Sequence, residues 1–363
     1  MNQGARSTPP GGSRALDGTS APAESDPIVI AGRSVAPGER TRIQVPFGKR
    51  VSGSEISLPI EVIRGRRPGP RLFVSAAIHG DEIAGVEIIR RLLAQRGLKR
   101  LRGSLIAVPV VNLYGFVGLT RTLPDRRDLN RSFPGSPRGS LAARLADLFL
   151  TEVVDNATHG IDLHTGAVHR SNLPQIRACL DDPETARLAR AFGVPVVLNA
   201  NLRDGSLRQA VLERNVPMLL YEGGEALRFD EDPIAAGLRG VLRVMRTLGM
   251  LPAARQRHEA EPFIARSSHW LRSPGSGILR SRAKLGVAVE PGDRLGIVSD
   301  PLGAEESPVL AQKAGVVIGR TELPVVNEGD ALFHVAAFDA PVDVANSVEE
   351  FHAELEHPLN DEV

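Results

Sequence analysis

Apolar and polar positions follow one rhythm along roughly the first 250 residues and a different one after that. Residues 54–63, SEISLPIEVI, alternate apolar and polar side chains as a half-exposed strand does, and the RGRRPGPR cluster after them reads as a turn. Next comes a short apolar run, Leu72, Phe73, Val74, Ala76, Ala77 and Ile78. Gly80 ends it, which predicts an interior strand running into a tight turn. Ile83, Val86, Ile88, Ile89, Leu92 and Leu93 then recur at helical spacing, predicting a helix over residues 83–95. A further strand is expected at 104–111, with Pro109 marking an edge or bulge near its end. Residues 112–137 read as a long polar, glycine-rich loop, and loops of that length in compact domains tend to be functional.

The alternation resumes with a helix at 140–154, a short strand at 159–166, an apolar segment at 175–180, an acid-led helix at 182–192 and a strand at 194–198. Asp204 or Ser206 is placed to cap a helix reaching Glu213, residues 217–221 form a strand that delivers Glu222-Gly223-Gly224, and a helix covers 233–248. This is the rhythm of an α/β domain. From about Arg255 it gives way to short strands divided by glycine and proline (GILRSRA, GVAVEPGD, GIVSD, GVVIG, ALFHVAAF), the pattern of a small all-β domain. The expected organisation is a disordered segment at 1–27, a catalytic domain at 28–254, a β domain at 255–345 and a tail at 346–363.

Composition narrows the function classes. With 42% hydrophobic and 24% charged residues in a 363-residue chain, there is material for one large domain and a smaller one. The 44 basic and 43 acidic residues cancel to +1 without forming blocks, so the electrostatic footprint of a nucleic-acid binder is missing and a small-molecule partner is expected. No apolar stretch approaches the ~18 residues of a membrane span, and residues 1–27 are rich in Gly, Ser, Pro and Ala without an apolar signal-peptide core. A single cysteine, Cys179, allows no internal disulfide; it reads as a core residue, and the chain as cytoplasmic. A homo-oligomer stays open.

The candidate chemistry sits at strand ends. A catalytic zinc site takes three N or O ligands and keeps one position open, and His79, Glu82 and His164 supply such a set, each segment having glycine beside it where the backbone must turn. An H-x-x-E pair is common by chance, so the argument rests on the combination. Asp162 lies two residues before His164, on the same strand face, where it either orients the ligand or is simply a polar strand end. His159 or His169 is the alternative if the site were closed by a fourth ligand. Glu222, after an apolar strand, is the natural general base. The loop at Arg121 offers a cation for a developing oxyanion, and Asn130 with Arg131 offers a fork for a substrate carboxylate, although Arg126 and Arg127 are equally basic by spacing.

HGDE at 79–82, the loop RTLPDRRDLNRSFPG at 121–135, DLHTG at 162–166 and EGG at 222–224 together resemble the succinylglutamate desuccinylase/aspartoacylase family of carboxypeptidase A-like zinc hydrolases. The resemblance covers about residues 50–250 and extends to the trailing β domain. It implies a mixed-sheet α/β/α catalytic domain followed by a small all-β domain, with one Zn2+ per subunit on His79, Glu82 and His164. It also implies Glu222 as base, Arg121 as oxyanion partner, and Asn130 with Arg131 on a substrate carboxylate. Two features depart from the family pattern: the Arg121-to-Asn130 spacing is slightly longer than in aspartoacylase, and the arginine for an acidic acyl group has three candidates, Arg208, Arg177 and Arg170. The GSLR segment at 205–208 and the trailing domain look more like the branch of N-acetyl-diamino-acid deacetylases. The implied activity is zinc-dependent removal of a small acyl group from an N-acyl amino acid or related amine. A carboxypeptidase for short peptides or a noncatalytic zinc-binding homologue is the alternative.

Overall fold

The computed structural model describes residues 26–200, 203–253, 261–265 and 267–355. The expected disordered segment therefore lies, apart from residues 26 and 27, outside the described residues, as does the expected boundary at 254. No helix among the described residues is long and apolar enough to cross a membrane.

Four parallel strands form the centre of a 13-stranded sheet: Arg102–Val108, Arg67–Ala76, His159–Gly166 and Met218–Glu225, in that spatial order. Leu72, Phe73 and Val74 are wholly buried, which is why the central strand reads as an apolar run on both faces. One side of the sheet is covered by the helices Ala84–Leu93, Pro183–Phe192 and Glu231–Thr247, whose apolar stripes enter one core. The other side is covered by Leu141–Glu152 and Leu207–Leu212, whose buried faces enter a second core. The result is the expected mixed α/β/α sandwich. Helix starts follow local capping: Asp182 accepts from Thr185 N at 2.7 Å, Ser140 from Ala143 N at 3.2 Å and Ser206 from Gln209 N at 3.3 Å.

The flanks run antiparallel. Arg40–Lys49 and Glu55–Arg64 form a hairpin on one edge. On the other edge Arg170–Ala178 pairs with Met218–Glu225, then Gly315–Thr321 pairs with Arg170–Ala178, followed by Ala331–Ala337 and Ser267–Arg272. The trailing region is β-rich as expected, but only part of it is a sheet of its own, the four strands Glu306–Leu310, Arg294–Ser299, Gly277–Ser281 and Val325–Val326. The rest continues the catalytic sheet. Val316, Val317 and Ile318 are all buried, a two-sided burial that marks an interior strand. Leu173, Val196, Leu198, Val316, Ile318, Ala336, Val344 and Val348 share one apolar cluster that knits the two regions together.

Several local features differ from the sequence pattern. Most of the RGRRPGPR cluster is strand, because pairing to Arg102–Val108 starts at Arg67 and crosses a bulge before Arg71. Within the long loop Asn112 caps a short helix, Leu113–Gly118, by accepting from Gly115 N at 2.8 Å. Residues assigned to the tail begin inside a helix, Pro341–Leu355, that buries Val344, Val348 and Leu355. Cys179 is half-buried rather than in the core, since it lies one residue past the end of its strand.

Candidate metal centre and active site

The site forms where three parallel strands end together. Ala77 leaves the central strand with φ 52°, a left-handed conformation that costs of order 1 kcal/mol for a residue with a Cβ and turns the chain sharply into His79-Gly80-Asp81-Glu82. Gly80 is required there. A Cβ at that position would lie 1.9 Å from the Gly115 carbonyl carbon, because the Leu113–Gly118 helix packs directly on the turn. His164 comes from the end of His159–Gly166, and its register partner on the adjacent parallel strand is Glu222, so the two side chains stand side by side on one face.

His79, Glu82 and His164 are brought together and buried, with one donor atom from each within 4.8 Å of the others. His79 Nδ1 is 2.7 Å from Glu82 Oε1, and His164 Nδ1 is 2.7 Å from Glu82 Oε2. Each outward nitrogen meets a second carboxylate: His79 Nε2 lies 3.1 Å from Asp128 and His164 Nε2 lies 2.6 Å from Asp162. Ser75 donates to the other oxygen of Asp162 at 2.7 Å. Two imidazoles and one carboxylate, with each imidazole anchored from behind by a carboxylate, fit the donor chemistry of a zinc hydrolase site.

Electrostatics point the same way. Burial opposes charge on His79, but the Glu82 carboxylate and the bonds from Asp128 and Glu82 outweigh it and raise the pKa above its ordinary value. His164 is also buried, and the charges of Asp162 and Glu82 still carry its pKa well above the usual range. Burial would raise Glu82, yet the two histidines drive its pKa far down. Asp128 is likewise lowered, by His79 and then Arg121, against its own desolvation. Carboxylates that favour a proton on each imidazole equally favour a divalent cation between them.

Arg121 is the loop arginine that reaches this cluster. It donates to Glu82 Oε1 at 3.1 Å and to Asp128 Oδ2 through Nε at 3.2 Å and Nη2 at 3.1 Å. Arg127 instead sits 3.9 Å from Asp125 with a largely exposed side chain, and Arg126 is exposed, which separates Arg121 from its basic neighbours. Asn130 is buried, and its Oδ1 accepts from Leu207 N at 2.9 Å, tying the loop that carries Arg121 to the helix that carries Arg208. Arg131 is exposed and turns back to donate to the Asn130 carbonyl. Arg208 is buried, which lowers its pKa, and the nearby Arg177 charge lowers it further. Of the other two arginine candidates, Arg177 stands 3.3 Å from Glu222 Oε1 and Arg170 lies over the Trp270 ring at 5.1 Å. His159 lies at the start of its strand, bonded to Thr158 and Glu184, and His169 is 3.8 Å from Glu225; neither joins the ligand group.

Three residues at the site, Asp128, Ser75 and Asn172, have no sequence signal of their own. Asp128 lies within the Arg121 loop without a distinguishing neighbour. Ser75 holds Asp162, and Asn172 donates to Glu222 Oε2 across strands. His334 of the trailing region stacks on Trp270, centroids 4.7 Å apart and planes 7° from parallel.

Comparison with known proteins fits this arrangement. Residues 68–248 match the family model described as the succinylglutamate desuccinylase/aspartoacylase catalytic domain. The chain belongs to this family. The chain is also similar to the N-alpha-acetyl-L-2,4-diaminobutyric acid deacetylase of Halomonas elongata, 28% identical over 295 residues, which are 77% of this chain and 86% of the relative. Among solved structures, the product-bound ectoine utilization protein of Ruegeria pomeroyi is 27% identical, with a TM-score of 0.75 over 86% of this chain and 98% of its own. The succinylglutamate desuccinylase/aspartoacylase of Rhodobacter sphaeroides, 24% identical, shares the fold at a TM-score of 0.74 over 83% of this chain and 95% of its own. The two activities in the family's description, succinylglutamate desuccinylase and aspartoacylase, are both deacylations.

Proposed function

We propose that this protein is a zinc-dependent amidohydrolase that removes a small acyl group, such as acetyl or succinyl, from an N-acyl amino acid or related amine. The observation that carries the reading is the convergence of His79, Glu82 and His164 beside Glu222, whose strand neighbour is His164. The relative that acts on an N-acetylated diamino acid favours a substrate of that class.

Zinc held by His79, Glu82 and His164 would supply Lewis acidity and bring the pKa of a water down towards ~7. Glu222 takes the proton of the attacking water and passes it to the leaving nitrogen, as one carboxylate serving as base and then acid. The water oxygen bonds to the acyl carbon, the C–N bond breaks, and a carboxylate and a free amine result. Arg121 offers guanidinium N–H groups to the acyl oxygen, where negative charge develops. Asn130 and Arg131 hold the substrate carboxylate and so select which amide meets the base, and Arg208 is the candidate partner of an acidic acyl or side-chain group.

The test is a panel of N-acetyl, N-succinyl and N-formyl amino acids together with di- to tetrapeptides, offered to zinc-loaded protein, with Glu222→Gln run alongside. Small N-acyl amino acids should be hydrolysed with the higher kcat/KM. The variant should keep its zinc and lose ~10²–10⁴ in kcat, the usual contribution of a positioned base. Faster cleavage of the longer peptides would replace the reading with a carboxypeptidase, and no hydrolysis of any member would leave a binding protein.

A further inference from the structure

We infer that Asn172 is a positioning residue for Glu222, and that Gly319, from the trailing strands, works through it by letting the Gly315–Thr321 strand close against the Asn172 amide. The inference rests on the reading of Glu222 as the base.

Glu222 is gripped from one neighbouring strand. Asn172 Nδ2 donates to its Oε2, while Arg177 Nε stands 3.3 Å from its Oε1, and both residues belong to Arg170–Ala178. A base that must aim one lone pair at a water gains from having its carboxylate held by a hydrogen bond on one oxygen with a guanidinium charge facing the other, since misplacement by ~1 Å costs on the order of 100-fold in rate. The orientation of the Asn172 amide follows from chemistry: an ionised carboxylate only accepts, so the NH2 group faces Glu222 and Oδ1 faces away.

Oδ1 faces the trailing region. Asn172 has Gly224 as register partner on one side and Gly319 on the other. A Cβ added at Gly319 would lie 2.8 Å from Asn172 Oδ1 and 3.3 Å from His334 Cβ. The first distance is shorter than real side chains tolerate, so the amide would have to move. His334 is stacked on Trp270 and closes the other side of this space. Gly319 is not in the left-handed region, so alanine there meets no backbone penalty, and its whole effect is steric. The absent side chain at 319 is thus what lets a strand from the end of the chain lie against the amide that holds the base.

The experiment is a double-mutant cycle on the full-length, zinc-loaded enzyme, with N-α-acetyl-L-2,4-diaminobutyric acid as first probe and zinc content and thermal melting recorded for every variant. Asn172→Ala and Gly319→Ala should each lower kcat about 10- to 100-fold while KM stays within about twofold. Asn172→Asp, identical in shape but with a carboxylate facing Glu222, should lose at least as much, which a purely space-filling role would not require. On the Asn172→Ala background, Gly319→Ala should cost nothing more, because the group it displaces is gone. Crystal structures of the wild type and of Asn172→Ala supply a readout without turnover: the Glu222 carboxylate should leave its place in the variant. Multiplicative losses across the cycle, near-normal kcat in Asn172→Asp, or an unmoved Glu222 would overturn the inference. Glu222→Gln in the same series separates the two failures: if it keeps its kcat, the assignment of the base falls; if it alone loses kcat, only the roles of Asn172 and Gly319 fall.

Discussion

At the centre of the sheet Arg67–Ala76, His159–Gly166 and Met218–Glu225 run parallel and all stop at the site, whereas on the flank Arg170–Ala178 and Gly315–Thr321 run antiparallel and pass beside it. The difference governs how each region contributes. A parallel strand delivers a functional side chain at its carboxyl end, together with the turn that follows, so the chemistry is packed into a few consecutive residues. An antiparallel strand alongside contributes from its middle, through register, so its contribution is shared between residues far apart in the chain. Asn172 and Gly319 meet only because strands align.

The comparison breaks most sharply at the ligands. Removing one of three donors leaves too few for tight binding, so His79→Ala or His164→Ala should lose stoichiometric zinc while a flank variant such as Asn172→Ala retains it. Atomic emission on purified proteins reads this directly; full zinc occupancy in both histidine variants would reassign the centre of the sheet. A smaller effect is expected from Asp162→Asn, which keeps the shape behind His164 but removes the charge that raises its basicity. Zinc affinity should fall ~10–100-fold without being abolished, measured by competition with a chelator of known affinity. An unchanged affinity would mean that Asp162 is only a polar strand end.

The smallest expected effect uses the fact that histidines of the two regions are driven in opposite directions. His79 and His164 are raised, but burial, followed by the Arg177 charge, pushes His334 down to about 3 from its ordinary 6.5. Below its ordinary value the unfolded chain binds a proton that the folded one refuses, so folded stability falls as pH drops from about 6.5 towards 3. His334→Gln removes this linkage. Urea unfolding at pH 7 and pH 5 should show the wild type losing on the order of 1 kcal/mol more than the variant across that interval. Equal losses would place His334 in water rather than in the wall beside Trp270.

The same contrast explains what could be read before the structure. The clustering of His79, Glu82 and His164 at strand ends and the α/β order were legible because HGDE and DLHTG each join an apolar strand to its turn, and because Ser140, Asp182 and Ser206 cap their helices locally. Arg121 was a choice among several arginines until the fold set it against Glu82 and Asp128 while Arg127 turned to Asp125. Asn172, Gly319 and His334 carried no pattern: a polar residue in one strand, a glycine in a second and a histidine in a third have no period or motif in common. The continuity of the trailing strands with the catalytic sheet was illegible for a related reason. GVVIG is apolar enough for any interior strand, and nothing in five residues names its neighbour.

That continuity also sets a timetable. As the chain is made, Arg170–Ala178 emerges well ahead of Gly315–Thr321, and the partner for its first residues, Arg170 to Asn172, arrives only after residues 179–314 have been made. Until then those residues present unpaired N–H and C=O groups right beside the nascent active site, the kind of open border that recruits strands from other molecules. Docking of Gly315–Thr321 therefore seals that border against self-association.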